Sequence, residues 1–340
     1  MANIRDVAKE AQVSITTISR YLSKDATLKI TSETIDNIEK AINKLNYIYV
    51  PRNKPKGSAK RIGIISALTY QTYHDPFFSD ILKGIEFEAN LNNINIISIL
   101  DSSELKKDKI LDEFCSLNLD GVIVMENISN TTIERLKLSI KHIIFVDQYK
   151  NDYNCIGIDH FNATKQVMDF LLDNNYRNIA YIGGPVQNVD FLASYRTIAF
   201  KEALRLKKLE FNIERYYNCQ WDISACERQT KLLLASKNRP DAIFAGSDNL
   251  AAVVLGVANQ VGVKCPDEIA IIGFNGSQMS AHYIPALTTI NVPTFSMGKK
   301  TIARLVEMFE GDNDVYNILF PTNLIIRNSV KIKEKNNDKL

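Results

Sequence analysis

IRDVAKEAQVSITTISRYLSKDATLKITSETIDNIEKAINKLNY, residues 4–47, is the stretch on which the reading of the whole chain turns. Ile4 to Glu10 has the pattern of a short helix, and Ala11-Gln12-Val13 that of a tight connection. Ser14 stands where a helix N-cap belongs, because its hydroxyl can accept an orphan backbone N–H. The helix that follows, Ile15 to Leu22, is short, polar and basic. Two helices joined by a turn of about three or four residues make a helix-turn-helix, whose second helix enters the major groove of DNA. Thr31 reads as the N-cap of a third helix, with Ile35, Ile38, Ile42 and Leu45 at helical spacing.

The side chains suit that role. Thr16 and Arg20 are four apart and share a helix face, and arginine is the commonest reader of guanine. Ser14, Thr17 and Ser19 are short donors for phosphate oxygens, which position the protein without reading sequence. The expected DNA contacts are Ser14, Ile15, Thr16, Thr17, Ser19, Arg20, Thr31, Thr34 and Tyr47. Val7, Ala8, Ala11, Val13, Ile18 and Leu22 form the apolar set that packs the helices together. The competing reading is a small surface helical hairpin. Charge weighs against it. Residues 1–60 hold eleven Lys and Arg against six Asp and Glu, whereas the remainder holds 30 against 33. A basic head on an acidic body points to a polyanion partner for the head alone.

At 340 residues the chain is too long for one small core, and two or three domains are expected. The five cysteines form no metal-ligand pattern and are expected as reduced thiols of a cytosolic protein. No apolar run resembles a signal peptide or a membrane span. His74, His142, His160 and His282 are dispersed, and Gly183-Gly184-Pro185 lacks the lysine of a phosphate loop. No nucleophile triad can be assembled from spacing. The expectation is a chain without metal or cofactor, and not an enzyme.

Residues 48–60, IYVPRNKPKGSAK, read as a basic linker, since Pro51 and Pro55 would interrupt a helix beyond its first turn. From Arg61 onward short apolar runs alternate with amphipathic stretches. Strands are predicted at 62–66, 95–100, 121–124, 142–146, 179–183, 242–245 and 269–273. Helices are predicted at 77–92, 164–174, 194–206, 222–235, 250–261 and 295–309. Such alternation implies an α/β body of parallel, doubly wound sheets, with enough strands for two. Ligands bind outside the carboxyl ends of such strands. Asp75, Phe77, Phe78, Asp147, Ser247, Asp248 and Asn275 fall at those positions. Asp75 also reads as a turn starter before proline, and Asp248 as the N-cap of its helix.

DVAKEAQVSITTISRYL, residues 6–22, resembles the N-terminal motif of the LacI/GalR family of bacterial repressors, DVAxxAGVSxxTVSRxL. The likeness continues through IGIDHFNATKQVMDFLLDNNYRNIAYIGG, which is similar to VxxDNxxGGxxAxxHLxxxGHxxIAxIxG. GSDNLAAVVLGVANQVGVKCPDEIAIIGFN and PALTTI also resemble family blocks. The resemblance implies a helix-turn-helix head at 1–47, a hinge at 48–60 and a two-lobed, periplasmic-binding-protein-like body at 61–332, with a tail at 333–340. Lobe one would hold about 61–159 and 291–320, and lobe two about 160–290 and 321–332. The family's binding arginine matches Arg196, and its cleft aromatic matches Trp221. By themselves, Arg196 reads equally as a solvated helix charge and Trp221 as core.

The chain departs from the pattern in three places. Gln12 replaces the turn glycine, which predicts mild strain at positive φ. The hinge leucine that wedges into the minor groove is missing: either the hinge helix is very short, or Ile48, Tyr49 or Val50 supplies the wedge, or the DNA is not kinked in the family's way. Asn275 stands where many sugar-responsive members have aspartate. The implied protein is a cytoplasmic homodimeric repressor on a pseudo-palindromic operator, released by a small sugar. Residues 25–34 and 273–275 resemble the galactose- and β-galactoside-responsive branch. The alternatives are a global regulator with a protein corepressor and a sugar-binding protein without DNA function. The tail has no leucine heptad, so no tetramer is implied.

Overall fold

The computed structural model describes residues 4–22, 28–45, 59–66, 76–185 and 190–332. Tyr47, the hinge candidates Ile48, Tyr49 and Val50, Asp75 and the tail at 333–340 lie outside the described residues. The chain divides into two compact units, a helical head and an α/β body.

The head holds α1 (Ile4–Glu10), α2 (Ile15–Leu22) and α3 (Ser32–Lys44). Val7, Ala8, Ala11, Ile18, Ile38 and Ala41 form its buried core, with Val13, Leu22, Ile42 and Leu45 packed around them. A core this small needs polar ties as well. Tyr21 donates to Glu39 at 2.8 Å, and Lys44 pairs with Glu10 at 2.7 Å, so α3 is fastened to both earlier helices. Both helix starts are capped as the sequence predicts. The Thr17 N–H donates to Ser14 Oγ at 3.0 Å, and the Thr34 N–H to Thr31 Oγ1 at 3.2 Å. Gln12 sits at φ +54°, the left-handed conformation expected of the missing glycine.

In the body, β1 (Lys60–Ser66), β2 (Ile94–Asp101), β3 (Gly121–Val124), β4 (His142–Val146) and β5 (Asn154–Ile158) build a first sheet. Strands β6 (Ile179–Gly183), β7 (Tyr216–Asn218), β8 (Ala242–Ala245), β9 (Ala270–Asn275) and β10 (Thr288–Asn291) build a second. Then β11 (Asn317–Phe320) returns to the first sheet, and β12 (Asn323–Ile325) to the second. The orders are β11-β5-β4-β3-β1-β2 and β12-β10-β9-β8-β6-β7. All pairs are parallel except β10 with β12. Each sheet has the doubly wound order that opens a crevice at its carboxyl edge. The chain passes between the sheets after Ile158, after Asn291 and after Phe320.

Helices cover the sheets: α4 (Pro76–Leu91), α5 (Asp108–Cys115), α6 (Asn130–Lys137), α7 (His160–Asp173), α8 (Tyr195–Leu206), α9 (Ile223–Ala235), α10 (Asp248–Gln260) and α11 (Thr294–Phe309). Coverage on both faces explains why β3 and β8 read as unbroken apolar runs with every residue buried. One core runs through both sheets, from Ile62 and Ile144 to Phe244 and Phe274. Within the first lobe α4 and α11 cross at Gly84 and Gly298, where a Cβ on either would stand 2.1 Å from a backbone oxygen of the other helix. The fully buried Arg304 of α11 donates to Asn154 Oδ1 at 2.8 Å and to Asp312 at 2.6 Å. That network fastens α11 to β5.

The structure adds elements that the sequence reading passed over: α5, α6, β5, β7, β10, β11 and β12. It also starts α7 at His160 and not at Thr164, because Asp159 caps it by accepting the Asn162 N–H at 2.9 Å.

The left-handed turn at Gln12 has a measurable consequence. Gln12→Gly is expected to stabilise the head by a few tenths to about 1 kcal/mol, relief of strain outweighing the added chain entropy. Amide exchange across α1–α3 in the full chain would show it as slower exchange; faster exchange would mean that Gln12 is unstrained.

Candidate functional site

On the head, α2 presents Thr16 as an exposed residue and Ile15 at 45% exposure, while Ile18 faces inward. An exposed isoleucine on a polar helix is suited to a thymine methyl group. Ser19 and Arg20 are half-buried. The Ser14 and Thr17 hydroxyls bond each other at 2.8 Å, and so do those of Thr31 and Thr34. One of the two hydroxyl protons in each pair is therefore used locally. Each pair is left with one free donor; for Ser14 and Thr17 the sequence reading assigned two.

In the body, the predicted residues gather unevenly at the carboxyl edges of the sheets. Arg196, near the start of α8, is 5% exposed, which removes the solvated-charge reading. Its guanidinium lies 3.9 Å from the centroid of the Phe274 ring and 5.8 Å from that of Trp221. Its Nη1 donates to the Gly246 carbonyl at 2.8 Å, and its Nε to His160 Nδ1 at 3.5 Å. The other ring nitrogen of His160 meets Asp147 Oδ1 at 2.9 Å. With Nδ1 accepting from an arginine, that nitrogen carries no proton, and Nε2–H donates to the carboxylate. A continuous chain thus runs from Asp147, after β4 of the first sheet, through His160 at the first crossing, to Arg196 and Gly246 of the second.

Around this chain the backbone is unusual. Asp147 stands at φ +55°, Gln220 at +51°, Trp221 at +62° and Asn275 at +106°. Asparagine and aspartate reach such angles at modest cost, as Asn93, Asn118 and Asn175 do elsewhere, so Gln220 and Trp221 are the unusual pair. Trp221 is half-buried, its Nε1–H donating to the Pro185 carbonyl at 3.0 Å. Its ring lies against Gly184 and Gly246. It is partly core and partly edge, so neither single reading of it suffices.

Other predicted residues take different places. Ser247, not Asp248, caps α10: its Oγ accepts the Leu250 N–H at 3.2 Å. Asp248 is the first residue of that helix, 2% exposed. It accepts from Thr289 Oγ1 and from the Ser277 N–H, each at 2.6 Å, and so ties β10 and the loop after β9 to α10. Burial pushes its carboxyl up to about 6. Phe77 turns into the core, edge-on to Phe78 at 5.2 Å. Asn275 is the last residue of β9, not a residue beyond it.

The sequence reading missed His160, Phe274 and Glu126. The first had a signal, since His160 stands where the resembled block has asparagine. Phe274 is fully buried and looked like any strand residue. Glu126 follows β3, and burial pushes its carboxyl up to about 7, helped by the nearby charges of Asp101 and Asp147. Among the described residues no group of three or more His, Cys, Asp or Glu side chains could hold a metal, and no helix is long and apolar enough to cross a membrane.

The profile of the bacterial regulatory proteins of the lacI family matches residues 3–49, and that of a periplasmic binding protein-like domain matches 168–330. The HTH-type transcriptional repressor MelR of Bacillus subtilis is 30% identical over 341 residues, 97% of each chain. The chain belongs to the lacI family of bacterial regulatory proteins. The ribose operon repressor of Halalkalibacterium halodurans is 27% identical, over 97% of this chain and 98% of that one. The lac repressor dimer solved with operator and the anti-inducer ONPF shares the fold, with a TM-score of 0.69 at 22% identity over 96% of this chain and 98% of that one.

Glu126 makes the body's stability depend on pH. Folding raises its affinity for a proton, so the folded chain takes one up between about pH 4.5 and 7. Stability is therefore expected to fall as pH rises through that window, by at most ~1.4 kcal/mol per pH unit. In Glu126→Gln that component is absent. Thermal melts from pH 5 to 7.5 should show the variant gaining on wild type as pH rises; a constant difference would show that Glu126 does not take up a proton.

Proposed function

We propose that this lacI-family chain is a homodimeric repressor of sugar-utilisation genes. Its two heads read a pseudo-palindromic operator, and a small sugar in the cleft of the body releases it. Galactose or a galactoside is the first candidate. The observation that carries this reading is the buried Arg196, stacked on Phe274 and linked through His160 to Asp147 of the other sheet. A sugar suits such a place. Planar polar side chains take its paired hydroxyls, and an indole face covers its apolar C–H face. Asp147, Arg196, Trp221 and Asn275 are the groups we assign to it, with Ser247 and Asp248 as the support behind them.

The galactoside preference rests on the text at 25–34 and 273–275. The relatives and solved neighbours include a ribose operon repressor and the lac repressor with ONPF, so ribose belongs in the same test. We take Ser14, Ile15, Thr16, Ser19 and Arg20 as the DNA-facing set, with Thr17, Thr31 and Thr34 at helix starts where backbone N–H groups favour phosphate.

A ligand releases operator only if it binds the DNA-free arrangement more tightly than the DNA-bound one. A ligand touching both lobes binds the two arrangements with different affinity when they differ in lobe geometry, and it releases operator when the DNA-free one is the tighter. Trp221→Ala removes the stacking face and leaves the head as it is. The variant is expected to bind operator with wild-type affinity and to need at least ~tenfold more sugar for release. The measurement is operator affinity with and without galactose, a galactoside and ribose, at one salt concentration, because phosphate contacts make affinity salt-dependent. Release of the variant at the wild-type sugar concentration would place the ligand elsewhere.

A further inference from the structure

Strand β6 carries Tyr181 and Gly183 two residues apart and on one face. The Tyr181 ring is 1% exposed, stacks on Tyr216 with centroids 4.6 Å apart, and meets Phe244 edge-on at 5.2 Å. These contacts fix the ring and carry its hydroxyl to the carboxyl edge of the second sheet. There it lies over two glycines of adjacent strands. A Cβ on Gly183 would stand 2.2 Å from the hydroxyl oxygen, and one on Gly246 would stand 2.8 Å from it. The Trp221 ring covers the same Gly246, and Arg196 donates to the Gly246 carbonyl. The hydroxyl therefore sits beside Gly246, which Trp221 and Arg196, two of the side chains assigned to the ligand, also contact.

Among the described residues nothing accepts from this hydroxyl, while the Arg196 guanidinium stands close enough to donate to it. Its neighbours show what is missing. The Tyr216 hydroxyl bonds Thr197 Oγ1 at 2.7 Å, and that of Tyr176 donates to the Lys331 carbonyl at 2.9 Å. Beside Tyr181 stand an arginine, which only donates, and two glycines, which have no side chain to accept. A phenylalanine would fill the same space without a buried polar group left over. The turn that holds the indole above it keeps Gln220 and Trp221 in the left-handed region, which non-glycine residues hold where their surroundings fix it.

We propose that the Tyr181 hydroxyl donates to an acceptor oxygen of the effector, a ring or hydroxyl oxygen of a sugar, and so sets which sugar the cleft accepts. This rests on the reading of the cleft as a sugar site. The test uses the full chain and Tyr181→Phe, titrated with D-galactose, methyl β-D-galactoside, D-ribose and cellobiose, and then with the monodeoxy forms of whichever binds. Tyr181→Phe should melt no lower than wild type and bind operator equally. It should bind the sugar ~tenfold more weakly, and should no longer discriminate against one monodeoxy form that wild type rejects. Unchanged affinity and unchanged ranking in Tyr181→Phe would overturn the assignment while leaving the sugar site standing. Failure of every probe to bind wild type would overturn the sugar site and this inference together.

Discussion

A guanidinium buried at the carboxyl edge of the second sheet needs partners, and the arrangement around Arg196 follows from that need. An unpartnered buried charge would cost several kcal/mol. Phe274 supplies a ring face, Gly246 a carbonyl, and His160 an acceptor nitrogen that is itself held by Asp147. Cation–π contact in a desolvated place contributes on the order of 2 kcal/mol. The bonds to Gly246 and His160 use two of the five N–H groups that an arginine carries. Among the described residues the guanidinium meets no carboxylate directly, and on that we rest its assignment to a ligand rather than to a structural brace.

Arg304 makes the contrast. It too is fully buried, but Asn154, Glu307, Asp312 and the Asp314 carbonyl surround it. It braces α11 against the first sheet and faces two carboxylates. Among the described residues, Arg196 reaches a carboxylate through a histidine. The same residue type thus has two kinds of surroundings, and our assignment of Arg196 rests on that difference.

The head was legible in the sequence almost to the residue, because caps, turn and apolar spacing are all local. Ser14, Thr31 and the left-handed Gln12 are signals that no tertiary contact overrides. The main strands were legible because sheets covered on both faces leave continuous apolar runs. Strands such as β11, half-exposed with an alternating pattern, and β7, three residues long, carry too little signal. The candidate site was legible only in part. Arg196 and Trp221 came from resemblance, whereas Phe274 and His160 matter through contacts between elements distant in the chain. Asp248 shows the limit from the other side. Its place after a strand pointed to ligand or cap, and the structure ties it to Thr289 and Ser277.

If a sugar bound in the body releases the head from DNA, one free energy couples the two bindings, and such coupling is reciprocal. If a sugar weakens operator binding by some factor, operator must weaken sugar binding by the same factor. The most direct measurement is sugar affinity of the full chain, with and without saturating operator, beside operator affinity with and without saturating sugar, all at one salt concentration. The account predicts equal factors, of about 5- to 150-fold. Sugar affinity unchanged by operator would contradict it.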